Sequence, residues 1–410
     1  MTNPQNLFDD AVLADPWAFY AERHAAGIKI EELPDQNMFI VYGYDLCLQA
    51  ATRPAEFSSE FGGHMDPSDQ EIDAIMAEGW KFENTLLTVD APLHTRNRKL
   101  VNLAFSMRRV NAIEQDMREK AIALIDAFSE SGECEFAHAF AIPLPVAMIA
   151  QQIGLEDDTA RVKRWSDSGV DRFSQKVSRE RQLECARELV EYQHYMMDLI
   201  EQRRAKPTDD LLTDLVEARV DDETPLSDAE VMSMMHQFMV AGNETTTSTL
   251  TGALLELIGN EEQMAQAVSA AGGKDPRRLM NLVEEALRFE SPAAGMWRIA
   301  AQDTQLGDMS IPEGATVHLR YAAANRDPAV FEDPDSFNID RKNAKAHLSF
   351  GKGPHVCVGN MLSRKEMLVA FDELLSRLTN FEVADPDGIE ILRNVLLRGV
   401  TRLPIRFRPI

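Results

Sequence analysis

The amino-acid sequence predicts a mainly α-helical fold with small β-sheets, formed as one domain over residues 1–410 around a long central helix. Three observations lead to this prediction. Amphipathic helical patterns dominate from Arg108 to Leu378. Strand-like segments are confined to three short stretches. The sequence contains no internal repeat, low-complexity tract or Pro/Ser/Gly-rich linker that would mark a domain boundary.

The strand-like stretches flank the helical region and should form a small sheet beside it. They are Lys29 to Val41, Gln305 to Leu319 and Val395 to Phe407. The second stretch contains Ile311-Pro312-Glu313-Gly314, which favours a hairpin turn at that point. The expected sheet-rich parts are residues 29–60 and 305–320, and the expected helical body covers residues 90–290 and 358–378.

The long central helix is predicted to begin at Ser227. The Ser227 hydroxyl can cap the free amides of the first turn, while Glu230 reaches back in a capping-box arrangement. The helical pattern then continues to Gly259, a plausible C-terminal stop. At about 1.5 Å per residue such a helix is on the order of 45 Å long, so it should organise the core.

The composition excludes two classes of general partner. A formal net charge of −25 repels nucleic acid phosphates and anionic lipid surfaces alike. No stretch approaches the roughly 18 consecutive apolar residues of a membrane span. The segment from Met1 to Pro16 is acidic, where a signal peptide would carry positive charge. We therefore expect a monomeric cytoplasmic protein.

Four cysteines lie far apart, and a chain of this size has little need of disulfides. Cys47, Cys134 and Cys185 are expected to be buried small hydrophobic residues. Cys357 differs, because it follows the glycine-rich loop Phe350-Gly351-Lys352-Gly353-Pro354 and directly precedes an amphipathic helix ending near Leu378. Glycines allow the backbone to approach a flat cofactor, and free amides at a helix start stabilise a thiolate. This arrangement suits a thiolate bound to iron.

Two other interpretations of Cys357 stay open on these residues alone. A lone cysteine is commonly a buried structural residue. A zinc site is possible in principle, although no second cysteine lies nearby to complete the usual paired spacing.

The segment from Phe350 to Gly359 matches Phe-Gly-x-Gly-x-His-x-Cys-x-Gly at every fixed position and resembles the haem-ligand signature of the cytochromes P450. In that family the cysteine sulfur is the proximal iron ligand and pushes electron density toward bound oxygen. The resemblance implies a P450-like fold, haem b as cofactor and Cys357 as its iron ligand. It also implies that Phe350, Gly351, His355 and Gly359 contribute to cofactor binding.

Glu285 and Arg288 are three residues apart and can pair on one face of a helix. A solvated surface pair is the usual explanation of such spacing. The two residues resemble the family's Glu-x-x-Arg motif, which implies a structural role in holding the cysteine loop and the meander. The segment from Asn325 to Arg341 resembles the meander, an irregular segment of the family's fold.

The two propionates of haem need cationic or hydrogen-bonding partners. By resemblance to family motifs, the candidates are His94, Arg98, Arg298 and His355. Surface solvation would explain any one of them alone, and their joint occurrence in chain order favours the propionate role.

Ala241-Gly242-Asn243-Glu244-Thr245 interrupts the apolar pattern of the long helix. The glycine and the threonine hydroxyl make a local kink or widening reasonable. The segment resembles the family's acid and alcohol pair on the distal side of haem, with Ala241 against the cofactor. That resemblance implies that Glu244 relays protons from solvent and that Thr245 orders oxygen and water. The hydroxyls from Thr246 to Thr249 cannot all face the same side.

The sequence carries no flavin or iron–sulfur motif, so electrons must come from another protein. The resemblance implies an iron–sulfur ferredoxin with an NAD(P)H-dependent ferredoxin reductase. Five cations between His94 and Ile113 occur without any acidic residue and are hypothesised to dock the ferredoxin together with Lys352. These cations are Arg96, Arg98, Lys99, Arg108 and Arg109.

Substrate contacts are inferred from position relative to the motifs. The candidates are Phe82, Leu87, Gln237, Ala293, Ala294, Leu396 and Leu397. Most are apolar or small, which favours a bulky hydrophobic substrate such as a terpenoid or steroid-like molecule. Gln237 could equally face solvent. The segment from Phe61 to Glu83, containing Met65, Met76 and Trp80, is expected to form a lid, although its methionines could be core residues.

The predicted function is that of a haem-thiolate monooxygenase that inserts one oxygen atom from O2 into its substrate. One alternative is a peroxide-driven haem-thiolate peroxygenase, against which the Glu244-Thr245 pair argues. Another is a non-catalytic haem ligand sensor, in which that pair would have no task. All three interpretations share Cys357 as the iron ligand.

Overall fold

A computed structural model of the protein describes residues 6–61, 69–155, 158–172, 177–220 and 222–410. Backbone contacts group the chain into two compact units. Unit 1 comprises Met1–Ser58, Ile113–Leu144 and Glu244–Ile410, and unit 2 comprises Ser59–Ala112 and Pro145–Asn243. The predicted fold class is confirmed, since 55% of the structure is helical and the sheets are small.

Sixteen α-helices follow one another in the described part of the chain. They are α1 (Asp10–Ala14), α2 (Trp17–Ala25), α3 (Tyr44–Ala51), α4 (Gln70–Met76), α5 (Leu93–Ala104), α6 (Met107–Ala112), α7 (Glu114–Ser129), α8 (Pro143–Gln152), α9 (Thr159–Arg172), α10 (Arg179–Ala205), α11 (Leu211–Glu217), α12 (Asp228–Ile258), α13 (Glu261–Ala270), α14 (Pro276–Glu290), α15 (Tyr321–Ala324) and α16 (Asn360–Arg377).

All strands of the described residues belong to unit 1. They are β1 (Ile30–Leu33), β2 (Met38–Val41), β3 (Phe57–Ser58), β4 (Glu133–Glu135), β5 (Met296–Ala300), β6 (Thr304–Leu306), β7 (Met309–Ile311), β8 (Thr316–Leu319), β9 (Leu378–Val383), β10 (Glu390–Ile391), β11 (Val400–Arg402) and β12 (Pro404–Pro409). Four sheets result, with the orders β1-β2-β8-β5-β3, β4-β12-β9, β10-β11 and β6-β7.

The five-stranded sheet joins distant parts of the sequence. β2 and β8 run parallel, with Phe39 opposite Val317, and β5 pairs antiparallel with β8. The apolar side chains of these strands pack with α3 in one buried cluster that includes Leu46 and Leu319. Burial of this apolar surface fixes the register of the strands, because a shift by one residue would expose it.

A turn forms at the predicted position, where the Ala315 amide donates to the Pro312 carbonyl at 3.1 Å and Gly314 has a φ of 79°, but the strands on its two sides do not pair. The hairpin forms between β6 and β7, where Gly307 adopts a φ of 58° that suits a tight turn. The segment after Pro312 instead leads into β8, whose Val317 is fully buried in the five-stranded sheet. The turn prediction is therefore confirmed, but the prediction of a hairpin around it is wrong, because β8 pairs with β2 and β5 in the larger sheet.

The long helix α12 agrees with its prediction. The Glu230 amide donates to Ser227 Oγ at 3.2 Å, and the Ser227 amide donates to Glu230 Oε2 at 2.8 Å, so the capping box is present. The helix is continuous through Gly242 and ends before Gly259. Its first part belongs to unit 2, and its part from Glu244 onward belongs to unit 1.

All regular secondary structure in the described residues of unit 2 is helical, with loops between the helices. Trp165 on α9 is fully buried, with its ring 5.4 Å from that of Tyr192 on α10. The segment expected to form a lid contains α4, and Met65 lies outside the described residues. Within the described ranges, no helix combines the length and apolar character needed to cross a membrane.

Candidate functional site

The loop before Cys357 depends on two glycines. Gly351 and Gly353 adopt φ values of 66° and 73°, which side chains rarely tolerate. A Cβ at Gly353 would also lie 2.3 Å from the backbone oxygen of Ala51. The resulting turn brings the Cys357 amide to the Phe350 carbonyl, to which it donates at 2.8 Å. The glycines therefore fix the backbone on the amide side of Cys357.

Cys357 is half-buried and lies three residues before the first residue of α16. On its carbonyl side, Asn360 Nδ2 donates to the Cys357 oxygen at 2.6 Å. A Cβ at Gly359 would lie 4.0 Å from the Cys357 sulfur, which is ordinary contact. The thiol thus has a fixed backbone and remains partly accessible at the start of a helix, where a thiolate is favoured.

The other three cysteines are also free thiols. Cys47 and Cys185 are buried, and Cys134 is half-buried in β4. Burial raises the pKa of Cys134 to about 12, which keeps this thiol protonated. The buried positions of Cys47 and Cys185 match the small hydrophobic role expected for them.

Glu285 and Arg288 form a fully buried ion pair on α14. Arg288 donates to both carboxylate oxygens of Glu285 at 2.8 Å, and Arg341 adds a second cation at 3.0 Å. Arg288 also donates to the carbonyls of Asn325, Pro334 and Ser336. The pair is therefore not a surface feature, and it ties α14 to the segment from Asn325 to Arg341.

A second acidic residue of α14, Glu284, faces the cysteine loop and was not anticipated from the sequence. Arg364 on α16 binds it with two hydrogen bonds, and His347 Nε2 contacts it at 3.1 Å. Burial opposes ionisation, but the hydrogen bonds from His347 and Arg364 prevail and lower the pKa of Glu284 to about 2. Glu284 directly precedes the Glu285 motif, yet nothing in its spacing indicates a partner eighty residues away.

The middle of α12 is open. Ala241 and Gly242 are exposed, although they lie near the centre of a 31-residue helix. A Cβ at Gly242 would meet no atom within 4 Å. Glu244 and Thr245 are half-buried on the next turn, where the Thr245 carbonyl accepts a hydrogen bond from Thr249 Oγ1 at 2.8 Å. This stretch leaves room beside the helix for a group that approaches its backbone.

The cysteine loop of unit 1 fits a haem group. Haem iron can be held by a protein thiolate, which the half-buried Cys357 could supply at the start of α16. Among the described residues, no group of three or more His, Cys, Asp or Glu is arranged to hold an ion by itself.

The propionate candidates are divided between the units. Arg298 lies buried on β5 and donates to the Trp297 carbonyl at 2.7 Å, and His355 lies half-buried in the cysteine loop; both belong to unit 1. His94 and Arg98 lie one turn apart on α5 in unit 2. Burial and the charge of Arg98 lower the pKa of His94, which favours its neutral form.

Four of the substrate candidates come together in unit 1. The Ala294 amide donates to the Leu396 carbonyl at 2.8 Å, and Ala293 pairs with Leu397 in an antiparallel bridge. Small and apolar residues from distant parts of the sequence are thereby brought side by side.

The remaining candidates lie in unit 2, where Leu87 is exposed and Phe82 and Gln237 are half-buried. The Phe82 ring lies 4.9 Å from that of His236, a residue that the sequence did not single out. Burial lowers the pKa of His236 to about 4, so its imidazole is neutral. Only its position next to Gln237 could have drawn attention to it.

The basic segment between His94 and Ile113 is largely neutralised within unit 2. Arg96 pairs with Glu230 at 2.5 Å, Lys99 pairs with Glu223 at 2.6 Å, and Arg109 pairs with Asp209 and Asp214. The segment itself contains no acidic residue, but acidic residues from other parts of unit 2 pair with three of its five cations. Arg108 is exposed and remains a candidate for contact with a partner.

Comparison with known proteins adds independent findings. The family model described as "Cytochrome P450" matches residues 172–404. The chain is 33% identical over 413 residues to 6-deoxyerythronolide B hydroxylase from Saccharopolyspora erythraea, covering 99% of each chain. It is 34% identical to the steroid C26-monooxygenase of Mycobacterium tuberculosis, covering 79% of this chain and 86% of that one. The structure of cytochrome P450 CYP109Q5 from Chondromyces apiculatus is similar with a TM-score of 0.86 and 31% identity, covering 98% of both chains.

Proposed function

We propose, because this chain belongs to the cytochrome P450 family, that it is a haem-thiolate monooxygenase acting on a bulky apolar substrate with electrons from a ferredoxin. Membership of the family makes the protein an oxidoreductase with a haem cofactor. The haem b form, the substrate class and the electron donor are parts of the proposal.

One observation carries the proposal. The half-buried Cys357 stands at the start of α16, with its amide bonded to Phe350 and its carbonyl bonded to Asn360. A thiolate held in this way could bind the haem iron. When bound, haem supplies the activation of oxygen that protein side chains alone cannot provide.

The remaining site residues receive roles that their positions support. We assign Phe350, Gly351, Gly359 and Ala241 to contact with the ring system, and His94, Arg98, Arg298 and His355 to the propionates. The burial of Arg298 supports its assignment, since a buried cation requires a counter-charge or hydrogen-bond acceptors.

Glu244 and Thr245 are assigned to proton delivery. A half-buried carboxylate can exchange protons with water and pass them inward. The adjacent hydroxyl can donate one hydrogen bond and accept another, so it can hold a water molecule in place. This assignment favours the O2-dependent monooxygenase over a peroxygenase that needs no such relay.

The central test is the spectrum of the reduced protein with carbon monoxide. We expect the red-shifted band of thiolate-ligated haem in the wild type and in Cys134→Ala, and its loss in Cys357→Ala. Cys134→Ala is a matched control because its thiol is also half-buried. Absence of the band in the wild type would overturn the proposal.

A bulky apolar substrate is favoured by the apolar character of Ala293, Ala294, Leu396 and Leu397, which backbone pairing brings side by side. One relative is named for a steroid. A screen of terpenoids, steroids and aromatic acids for a high-spin shift tests this class. Ala293→Phe should weaken binding of a bulky hit by about tenfold or more while leaving the binding of imidazole unchanged. High-spin shifts with small aromatic acids alone would contradict the proposed class.

Arg108 is the best candidate for contact with the ferredoxin, because it is exposed. Its neighbours Arg96, Lys99 and Arg109 are already paired with acidic residues. A cation on the docking surface accelerates association with an acidic partner, and salt weakens the effect. We expect Arg108→Glu to slow reduction by an acidic ferredoxin and to flatten its salt dependence. Arg393→Glu, an exposed residue of unit 1, is the control. Unchanged reduction in Arg108→Glu would remove Arg108 from the docking surface.

The cytoplasmic location is likewise a proposal. All four cysteines are free thiols, which is the usual state in a reducing compartment.

A further inference from the structure

We propose that the Glu284–Arg364 ion pair positions Cys357 and tunes the reduction potential of the iron bound there. All residues concerned belong to unit 1. The inference rests on the proposed function only in taking Cys357 as the iron ligand. It assigns a role to two side chains outside the signature that surrounds Cys357.

The ion pair is fixed by its geometry. Arg364 Nε donates to Glu284 Oε1 at 2.8 Å, and Arg364 Nη2 donates to Glu284 Oε2 at 3.0 Å. This is the parallel two-bond arrangement that an arginine makes best with a carboxylate. Glu284 is 3% exposed and Arg364 is 20% exposed, so water screens the pair incompletely.

His347 supports the charged form of the Glu284 carboxylate by a hydrogen bond. The Ser349 amide donates to His347 Nδ1 at 3.1 Å, which places the imidazole proton on Nε2. Nε2 then donates to Glu284 Oε2 at 3.1 Å. Burial lowers the pKa of His347, which keeps the ring neutral. Arg364 is therefore the cation that balances Glu284.

Arg364 reaches Cys357 along two routes. On the carbonyl side, Arg364 Nη1 donates to Asn360 Oδ1 at 3.0 Å, and Asn360 Nδ2 donates to the Cys357 oxygen at 2.6 Å. On the amide side, the guanidinium carbon lies 4.4 Å from the centroid of the Phe350 ring. The Phe350 carbonyl accepts the bond from the Cys357 amide. Glu284 fixes Arg364, and Arg364 contacts Asn360 and Phe350, the two residues that hydrogen-bond the backbone of Cys357.

The two charges have opposite effects on the iron. A cation near the cysteine loop favours the added electron of the ferrous state, and an anion disfavours it. Loss of the Glu284 charge should therefore make reduction easier, and loss of the Arg364 charge should make it harder. A role limited to loop packing predicts a different result, because both changes would loosen the same loop and act in the same direction.

The experiment measures the midpoint reduction potential of the purified holoprotein by spectroelectrochemical titration. We expect Glu284→Gln to raise the equilibrium constant for reduction and Arg364→Gln to lower it, each by about three- to tenfold for a partly screened unit charge. The double variant, Glu284→Gln with Arg364→Gln, should return close to the wild type. Glu373→Gln is the control, because it also removes one buried negative charge, from a carboxylate on α16 that Arg377 and Arg118 bind. It should change the reduction potential less than Glu284→Gln does.

A further variant keeps the test decisive if Glu284→Gln does not fold. Arg364→Lys retains the charge without the two parallel bonds, so its potential should stay near the wild type while that of Arg364→Gln falls. Equal potentials in these two variants, or shifts of the same sign in Glu284→Gln and Arg364→Gln, would overturn the proposal. A wild-type protein without the thiolate-type carbon monoxide band would instead show that the proposed function itself has failed.

Discussion

Glu366 lies on α16 and is 5% exposed, which is unusual for a carboxyl group. Burial raises its pKa to about 8, and a hydrogen bond with Thr246 only partly offsets this. Thr246 Oγ1 is also 3.4 Å from Ser363 Oγ, so three polar side chains meet between α12 and α16, and Thr246 and Glu366 among them are buried. Near neutral pH the folded protein therefore holds Glu366 in its protonated form.

This burial predicts a pH-dependent stability. An unfolded chain releases the Glu366 proton near pH 4.5, whereas the folded chain keeps it until about pH 8. The free energy of unfolding should therefore fall as the pH rises through this window. Glu366→Gln should remove this contribution and be more stable than the wild type at pH 8 by roughly 4 kcal/mol or less, with little difference at pH 5. Chemical denaturation at both pH values measures the difference.

Glu313→Gln is the matched control, because Glu313 is exposed and its neutralisation should leave the pH dependence unchanged. A Glu366→Gln variant whose stability runs parallel to the wild type between pH 5 and pH 8 would contradict the prediction.

At the scale of elements, the cysteine loop packs against the end of α3 through Gly353. A side chain at Gly353 would meet the Ala51 carbonyl oxygen at 2.3 Å, and backbone cannot move aside as a side chain can. Gly273 adopts the same φ of 73°, but a Cβ there would meet nothing within 4 Å. Substitution at Gly273 therefore measures the cost of the backbone conformation alone, and substitution at Gly353 measures that cost together with the cost of the close contact.

We expect Gly273→Ala to destabilise the protein by about 1 kcal/mol, the cost of the left-handed conformation alone. Gly353→Ala should cost roughly 3 kcal/mol or more and should also reduce the fraction of protein that retains haem. Unfolding free energies and haem content measure both effects. Equal losses in the two variants would show that contact with Ala51 is unimportant.

Elements with local signals could be predicted from the sequence, and elements fixed by distant contacts could not. The cap at Ser227 and the bond from the Cys357 amide to the Phe350 carbonyl depend on neighbours within a few residues. The parallel pairing of β2 with β8 and the binding of Glu284 by Arg364 join distant segments, and no local pattern encodes them. The hairpin was misplaced for the same reason, since β8 gains more by burial in the larger sheet.

At the scale of the whole molecule, acidic residues outnumber basic ones by 67 to 42. Many of the basic residues are paired locally, as Arg96 and Lys99 are in unit 2. The excess negative charge repels itself over distances that salt can screen, because the Debye length shrinks from about 10 Å at 0.1 M salt to about 3 Å at 1 M.

We therefore expect the melting temperature at pH 7.5 to rise by a few degrees when sodium chloride is increased to about 0.5 M. Near pH 5, close to the sequence pI of about 4.8, the net charge is small and the increase should disappear. Differential scanning calorimetry at both pH values measures this. A melting temperature that falls with salt at pH 7.5 would show that local ion pairs outweigh the net repulsion.

The chain passes between the two units four times, after Ser58, Ala112, Leu144 and Asn243. Unit 1 is assembled from three separate segments, and its main sheet joins strands from the first and the last of them. Any single recombination point between this protein and a relative therefore leaves unit 1 with mixed parentage. A chimera that keeps each unit intact has to exchange residues 59–112 and 145–243 together, with all four junctions placed at these crossings.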